Sequence, residues 1–237
     1  MAQSYFIWKD IDCRAMGVKL SGPVPIIRPE ERVEHVQIPG RSGDLTELEG
    51  ENIFNSYIQT ATILVHGGYR VREIYNWLKG AGFVTFSGEP DRKQPARIVG
   101  AITLNKHSYN MDWWEGEVQF YCQPLKQLLT EGTVQITSSG STVVNNGDVA
   151  SRPVITATAS STSMSITVGG KTLTITGLTN GTDYIIDSEI MEVSNALRTA
   201  LLTANSLGDL PMLAPGSNTI TGSGWSKLVI DRRERFL

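Results

Sequence analysis

The sequence predicts a mainly β protein built from two domains of different character. The chain holds 23 Gly and 10 Pro in 237 residues, and its second half is rich in Ser and Thr. Apolar and polar residues alternate along many short segments, as in strands joined by turns rather than in long helices. With 40% apolar and 19% charged residues, the chain can bury substantial cores, which excludes a disordered protein.

The composition changes near residue 130. Between residues 131 and 182, 30 of 52 residues are Ser, Thr, Gly or Asn. Beyond residue 131 the aromatic residues are Tyr184, Trp225 and Phe236. Because turn-forming segments lie at 138–141 and 145–148, we place the boundary between residues 127 and 152. This divides the chain into residues 1–131 and 132–237.

Strands and one helix are predicted in the first domain. The strand segments are residues 18–20, 33–38, 57–65, 83–86, 98–104 and 114–120. The helix has apolar residues at the spacing i, i+3, i+4, i+7, which are Val71, Ile74, Tyr75 and Leu78. Gly80 can end it by adopting the left-handed conformation. We expect the apolar face to pack on a sheet, and a partner-binding helix is the alternative.

The second domain is predicted to be almost entirely strand and turn. Residues 164–168 and 172–175 alternate on either side of Gly169-Gly170, a pair suited to a tight hairpin turn. Further strands are predicted at residues 154–159, 184–187, 190–193, 218–221 and 227–230. About seven strands at regular intervals indicate an antiparallel β-sandwich. For residues 193–205, the sequence does not distinguish a short helix from a loop.

Charge and cysteine usage exclude several classes of protein. A formal charge of −3 argues against a nucleic-acid binder held by phosphate contacts. Cys13 and Cys122 are too few for a disulfide framework, so we expect two reduced, buried thiols. The N-terminal residues do not resemble a signal peptide, and no apolar run approaches the ~18 residues that would span a bilayer. We therefore expect synthesis and assembly in a cytoplasm, without membrane insertion.

Motifs for catalysis are weak. The three histidines are scattered, so no metal site is predicted: His35, His66 and His107. The pairs Glu115/Glu117 and Asp187/Glu189 could flank a glycosidic bond, but that chemistry also needs a cleft and a raised pKa. We expect solvated acids, no cofactor and no enzymatic activity, and hydrolysis of cell-wall glycan is kept as an alternative.

Carbohydrate binding is a second alternative, because β-sandwiches can stack sugars on exposed aromatic rings. The second domain offers few candidates, and Trp225 is its possible surface aromatic. Trp113 and Trp114 alternate faces on a predicted strand, so we expect one in the core and the other exposed.

Several segments together resemble the distal tail protein (Dit) family of long, non-contractile-tailed bacteriophages and their prophages. In order, they are residues 38–45 (IPGRSGDL), 77–78, 86–92 (FSGEPDR), 96–97, 120–124 (FYCQP), 152–155 (RPVI), 184–189 (YIIDSE) and 213–220 (LAPGSNTI). They extend over nearly the whole chain. Residues 231–235 depart from the family, which often has an aromatic among these basic residues.

The resemblance implies a β-sandwich or split-barrel-like first domain that forms a homo-hexameric ring, and a galectin-like antiparallel β-sandwich as the second domain. The ring would join the major tail tube protein to tail-associated and tail-tip or baseplate proteins, and in some phages to receptor-binding proteins. DNA would pass through its lumen. The protein would then be a virion component at the distal end of the tail.

Residues 28–51 are the hypothetical arm that contacts the next subunit, because this segment is long, charged and poorly suited to a compact core. The proposed interface residues are Arg28, Arg32, Arg41 and Asp44. Acidic residues outnumber the three arginines by seven to three: Glu30, Glu31, Glu34, Asp44, Glu47, Glu49 and Glu51. A ring needs a heterologous contact repeated around its axis, and the arginines could pair across it.

Overall fold

The computed structural model describes residues 4–48, 50, 52–108 and 111–237. It is mainly β with one short α-helix, which confirms the predicted fold class. The chain forms two compact units. The first ends at Leu129 and also includes Leu237, and the second comprises Thr130–Phe236. The sequence-based division follows residue 131.

One large antiparallel sheet dominates the first unit. The strands of this unit are β1 (Phe6–Trp8), β2 (Ile11–Asp12), β3 (Val18–Leu20), β4 (Val33–Gln37), β5 (Asp44–Leu48), β6 (Tyr57–His66), β7 (Ala81–Phe86), β8 (Arg92–Val99), β9 (Leu104–Ser108), β10 (Met111–Cys122) and β11 (Gln127–Leu128). The large sheet has the order β2-β1-β7-β8-β10-β6-β3, with β9 added to β10 and β11 to β8. Strands β4 and β5 form a separate two-stranded sheet.

An aromatic cluster forms the centre of the first core. Phe120 on β10 is fully buried, and its ring centroid lies 5.3–5.6 Å from those of Phe6, Trp8 and Phe86. Edge-to-face contacts of this kind add to the free energy gained by burying the rings. This core fixes β10 between β6 and β8.

Helix α1 (Val71–Trp77) packs on this core, as predicted. Its buried stripe differs from the prediction, however, because Ile74, Trp77 and Leu78 are buried while Tyr75 is exposed. Both sets have helical spacing, and only contact with the sheet selects between them. Gly80 follows with φ +75°, consistent with its predicted role at the end of the helix.

The predicted strand at residues 98–104 was wrong. Strand β8 ends at Val99 and β9 begins at Leu104, so the four residues between them are not in a strand. Gly100 has φ +73°, which an extended strand does not accommodate. This break separates two strands that pair with different segments of β10.

The second unit is a sandwich of two five-stranded antiparallel sheets. Its strands are β12 (Thr133–Ile136), β13 (Ser141–Asn145), β14 (Val154–Ala159), β15 (Ser163–Val168), β16 (Lys171–Thr176), β17 (Asp183–Asp187), β18 (Glu192–Asn195), β19 (Ser206–Gly208), β20 (Gly216–Ser223) and β21 (Trp225–Asp231). The sheet orders are β12-β21-β14-β17-β18 and β13-β20-β15-β16-β19. Buried residues of both sheets form a single apolar cluster.

The Gly-Gly hairpin is confirmed. Strands β15 and β16 pair from Ser163↔Thr176 to Val168↔Lys171, and the turn glycines have φ +58° and +77°. Two positive φ values in a two-residue turn match the twist of the paired strands. Residues 193–205, for which the sequence allowed either a short helix or a loop, contain the end of β18, a turn and a 3-10 turn at Thr203–Asn205.

Candidate interaction site on the β4–β5 hairpin

Among the described residues, none of the β4–β5 hairpin belongs to the buried core of the first unit. Its register extends from Val33↔Leu48 to Gln37↔Asp44. At its base, the Asn55 amide donates to the Glu30 carbonyl at 2.8 Å. Beyond Val33, the side chains of β4 are exposed on both faces. A two-stranded hairpin is marginally stable alone, so this segment is suited to gaining contacts from a partner.

One face of the hairpin combines two carboxylates with two aliphatic side chains. Glu34 lies directly opposite Glu47, and Val36 lies directly opposite Leu45. We call these four residues the carboxylate–aliphatic face. Opposed like charges destabilise a strand pair by up to about 1 kcal/mol. A cation from outside the hairpin would relieve that repulsion.

The proposed interface residues all lie along this segment. Arg28 precedes the hairpin, Arg32 stands at its base, Arg41 lies in the turn, and Asp44 begins β5. Arg32 Nε donates to Asn55 Oδ1 at 3.2 Å. Among the described residues, none forms an ion pair with Arg28, Arg41 or Asp44. Glu49 and Glu51 of the proposed arm lie outside the described residues.

The prediction that Trp225 is a surface aromatic was wrong. Its side chain is 8% exposed, and its indole Nε1 donates to the Ser165 carbonyl at 3.2 Å. The pairing of β14 with β21 shifts at this point, from Thr158↔Lys227 to Ala159↔Trp225. The extra residue in β21 reverses the alternation of faces and turns Trp225 inward. The second domain therefore loses the ring on which sugar stacking was predicted.

The Trp113/Trp114 prediction was also incomplete, because both residues are half-buried. The Trp113 ring lies 4.9 Å from that of His66, and Trp114 Nε1 donates to Asp112 Oδ1 at 3.0 Å. Neither residue is a fully buried core residue or an open stacking platform.

Asp187 is not the solvated acid that the sequence predicted. It is 3% exposed, and Arg233 donates to its two carboxylate oxygens at 2.8 and 3.2 Å. Arg198 adds a contact of 3.3 Å. Burial alone would raise the pKa of Asp187, but the hydrogen bonds and charge of Arg233, together with backbone hydrogen bonds from Glu189 and Ile190, outweigh it and lower that pKa.

The neighbouring acids belong to the same region of the second unit. Glu189 accepts from Arg235 at 2.9 Å, and the buried Glu234 contacts Arg232 at 2.9 Å. The basic segment at residues 231–235 therefore stabilises the fold through ion pairs. This is the segment that departs from the pattern of the family that the sequence resembles. In the sequence, these ion pairs were indicated only by the run of arginines, Arg232, Arg233 and Arg235.

Glu115 and Glu117 line a cavity of about 650 Å³. Glu115 Oε2 lies 3.2 Å from His107 Nδ1, and both side chains are substantially exposed. A glycosidase acid depends on an apolar environment to raise its pKa. This open, polar groove does not provide such an environment.

Cys13 and Cys122 are free and fully buried, as expected. Burial raises the pKa of the Cys122 thiol to about 12. Within the described part of the chain, no cluster of three or more His, Cys, Asp or Glu side chains could hold a metal ion. In the same residues, no helix has the length and apolar character needed to cross a membrane.

Comparison with protein-family models and with curated protein sequences finds no match. Comparison with solved structures finds several matches. The Dit protein (gp 19.1) of phage SPP1, described as a paradigm of the hub adsorption apparatus in phages that infect Gram-positive bacteria, matches over 100% of both chains, with a TM-score of 0.79 and 19% identity. Chains from two phage P2 baseplate structures, both in the activated conformation, match over their full length with TM-scores of 0.50 (with Ca) and 0.51 (with Sr) and 8% identity.

These matches confirm the predicted resemblance at the level of the fold. The protein has the fold of the SPP1 Dit protein throughout the chain, including both compact units.

Proposed function

We propose that this protein is a structural component of a bacteriophage tail, a Dit-like hub located in the virion at the distal end of the tail. The observation that carries this proposal is the match to the SPP1 Dit protein over the full length of both chains. The role is non-enzymatic. The open groove at Glu115 and the ion-paired Asp187 are consistent with a protein that works through its surfaces.

We further propose that six copies form a ring and that the β4–β5 hairpin contacts the next subunit. The hairpin is exposed on both faces and carries two opposed carboxylates. Arg28, Arg41 and Asp44 are available for pairing across an interface. Because the hairpin differs from the surface that would receive it, the contact is head-to-tail, which can close into a ring.

The ring would connect the major tail tube protein to tail-associated or tail-tip proteins, with receptor-binding proteins as further partners of the assembly. DNA would cross its lumen only in transit. Each chain contributes a formal charge of −3, so an assembled ring would be acidic and would repel DNA rather than hold it.

Solution mass and negative-stain images of the purified full chain test the ring. We expect a mass of six chains and particles with sixfold symmetry around a central hole. A chain that stays monomeric at its highest soluble concentration, and also when mixed with the tail tube protein, would contradict the proposal.

The substitution Arg41→Glu should weaken ring formation at least about tenfold. Reversing an interfacial charge replaces attraction by repulsion, and truncating even one member of a close pair costs about 2–5 kcal/mol at buried interfaces. The measurement is the fraction of rings against protein concentration by mass photometry. Arg152→Glu is the matched control, because it makes the same charge change at an exposed site in the second unit. Unchanged assembly of Arg41→Glu would reject the role of the hairpin turn.

A further inference from the structure

An open cavity of about 370 Å³, with apolar side chains in its walls, lies beside helix α1 in the first unit. Its walls include Tyr75, Leu78, Ile98 and Ile102, and Lys79 stands at its edge. Tyr75 is exposed although it belongs to the apolar pattern of the helix. The cavity is therefore an apolar surface that this unit leaves open to solvent.

Two lysines stand at the edge of this cavity. Lys9 Nζ donates to the Lys79 carbonyl at 2.9 Å, so the two lysines are adjacent. In the described residues, neither lysine forms an ion pair. Apolar walls thus stand next to unpaired positive charge.

The carboxylate–aliphatic face of the hairpin has the complementary arrangement. Val36 and Leu45 are 36% and 37% exposed, and Glu34 and Glu47 form the next cross-strand pair on the same face. We propose that this face of one copy binds the α1 cavity of the neighbouring copy. The aliphatic pair would fill the cavity while Lys9 and Lys79 neutralise the two carboxylates.

This inference rests on the proposed ring and specifies its contact. The hairpin face and the cavity are both exposed in the single chain, so the contact is not made within one copy. Two different surfaces that bind each other produce a heterologous interface. Bringing in cations also removes the repulsion between Glu34 and Glu47, which favours this face over the opposite one.

A disulfide between copies tests the contact directly. Full-length protein carrying Leu45→Cys and Ile102→Cys is oxidised and separated without reductant. We expect a ladder of covalent multimers ending at six chains, because a disulfide forms only when the two Cα atoms lie within about 7 Å. The native Cys13 and Cys122 are fully buried and contribute little background.

The pair Thr46→Cys with Ile102→Cys is the control, since Thr46 lies on the opposite face of the hairpin. It should give no ladder. Equal cross-linking of both pairs would show non-specific collision and would overturn the assignment of the face.

Charge exchange gives a second test that does not depend on cross-linking. Glu34→Lys with Glu47→Lys should weaken assembly at least tenfold, as should Lys9→Glu with Lys79→Glu. Combining all four substitutions should strengthen assembly at least tenfold relative to either charge-reversed pair alone, because opposite charges face each other again. Additive losses without recovery would contradict the pairing.

The outcomes separate the contact from the function. Wild-type rings that show neither the ladder nor charge recovery would refute the cavity contact while leaving the ring proposal standing. Wild-type protein that forms no ring would contradict both. Labelling of Ile102→Cys by a maleimide in preformed rings, blocked only after addition of the tail tube protein, would assign the cavity to that protein and overturn the inference.

Discussion

Replacing Asp187 with Asn should lower the free energy of unfolding of the second unit by about 3 kcal/mol. The carboxylate is 3% exposed and accepts two hydrogen bonds from Arg233, whose side chain retains 28% exposure. Removing one partner of a buried ion pair costs about 3–5 kcal/mol, and partial exposure of Arg233 places the effect at the lower end. Urea denaturation of the full chain measures it.

Arg198→Ala is the control for Asp187→Asn. Arg198 contacts the same carboxylate at 3.3 Å, but its side chain is 47% exposed. Its loss should cost no more than about 1 kcal/mol. Similar losses from both substitutions would show that burial does not determine the strength of this cluster.

The stabilisation by Asp187 should also depend on pH. Its pKa is lower in the folded chain than the ordinary value of 3.8, because burial is outweighed by Arg233 and by backbone hydrogen bonds from Glu189 and Ile190 together. The contribution is therefore fully present above pH 3.8 and is lost as the pH falls through the folded pKa. The difference in unfolding free energy between wild type and Asp187→Asn should shrink over that acidic range. A constant difference would contradict the ion pair as its source.

Gly224→Ala should destabilise the second unit by about 2–5 kcal/mol. Gly224 has φ +77°, and a methyl group there would collide with the backbone carbonyl of Ser163. The left-handed conformation costs an L-residue about 1–2 kcal/mol, and overpacking adds about 1–3 kcal/mol. The collision involves main chain on the neighbouring strand, so a rotamer change cannot relieve it. Urea denaturation measures the loss.

Gly170→Ala isolates the collision. Gly170 has the same φ of +77°, but a methyl group there would meet nothing within 4 Å. Its loss should be about 1–2 kcal/mol, from backbone conformation alone. Equal destabilisation by the two substitutions would show that the sandwich relaxes around Gly224 without cost.

Local patterns were sufficient to predict many elements of the fold. The Gly169-Gly170 turn and the alternation beside it specify a hairpin whose strands are neighbours in the chain. The helix at residues 71–77 was likewise visible in its spacing. The choice of Trp77 rather than Tyr75 for burial was not visible, because it depends on a sheet assembled from distant strands.

The candidate site was predictable as a segment but not as a surface. Its charge and its poor fit to a core single out residues 28–51. The register that places Glu34 opposite Glu47 and Val36 opposite Leu45 emerges only when the two strands pair. The α1 cavity combines residues from a helix and from the segment around β8, and no local pattern indicates it.

The sequence by itself determined the mainly β class, the Gly-Gly hairpin and the charged segment, because these follow from neighbouring residues. Tertiary structure alone decided which groups are buried. Trp225 faces inward because of one extra residue in β21, and Asp187 is buried because Arg233, 46 positions away, neutralises it. Burial depends on long-range pairing, and a shift of one residue in a strand reverses the face of every side chain beyond it.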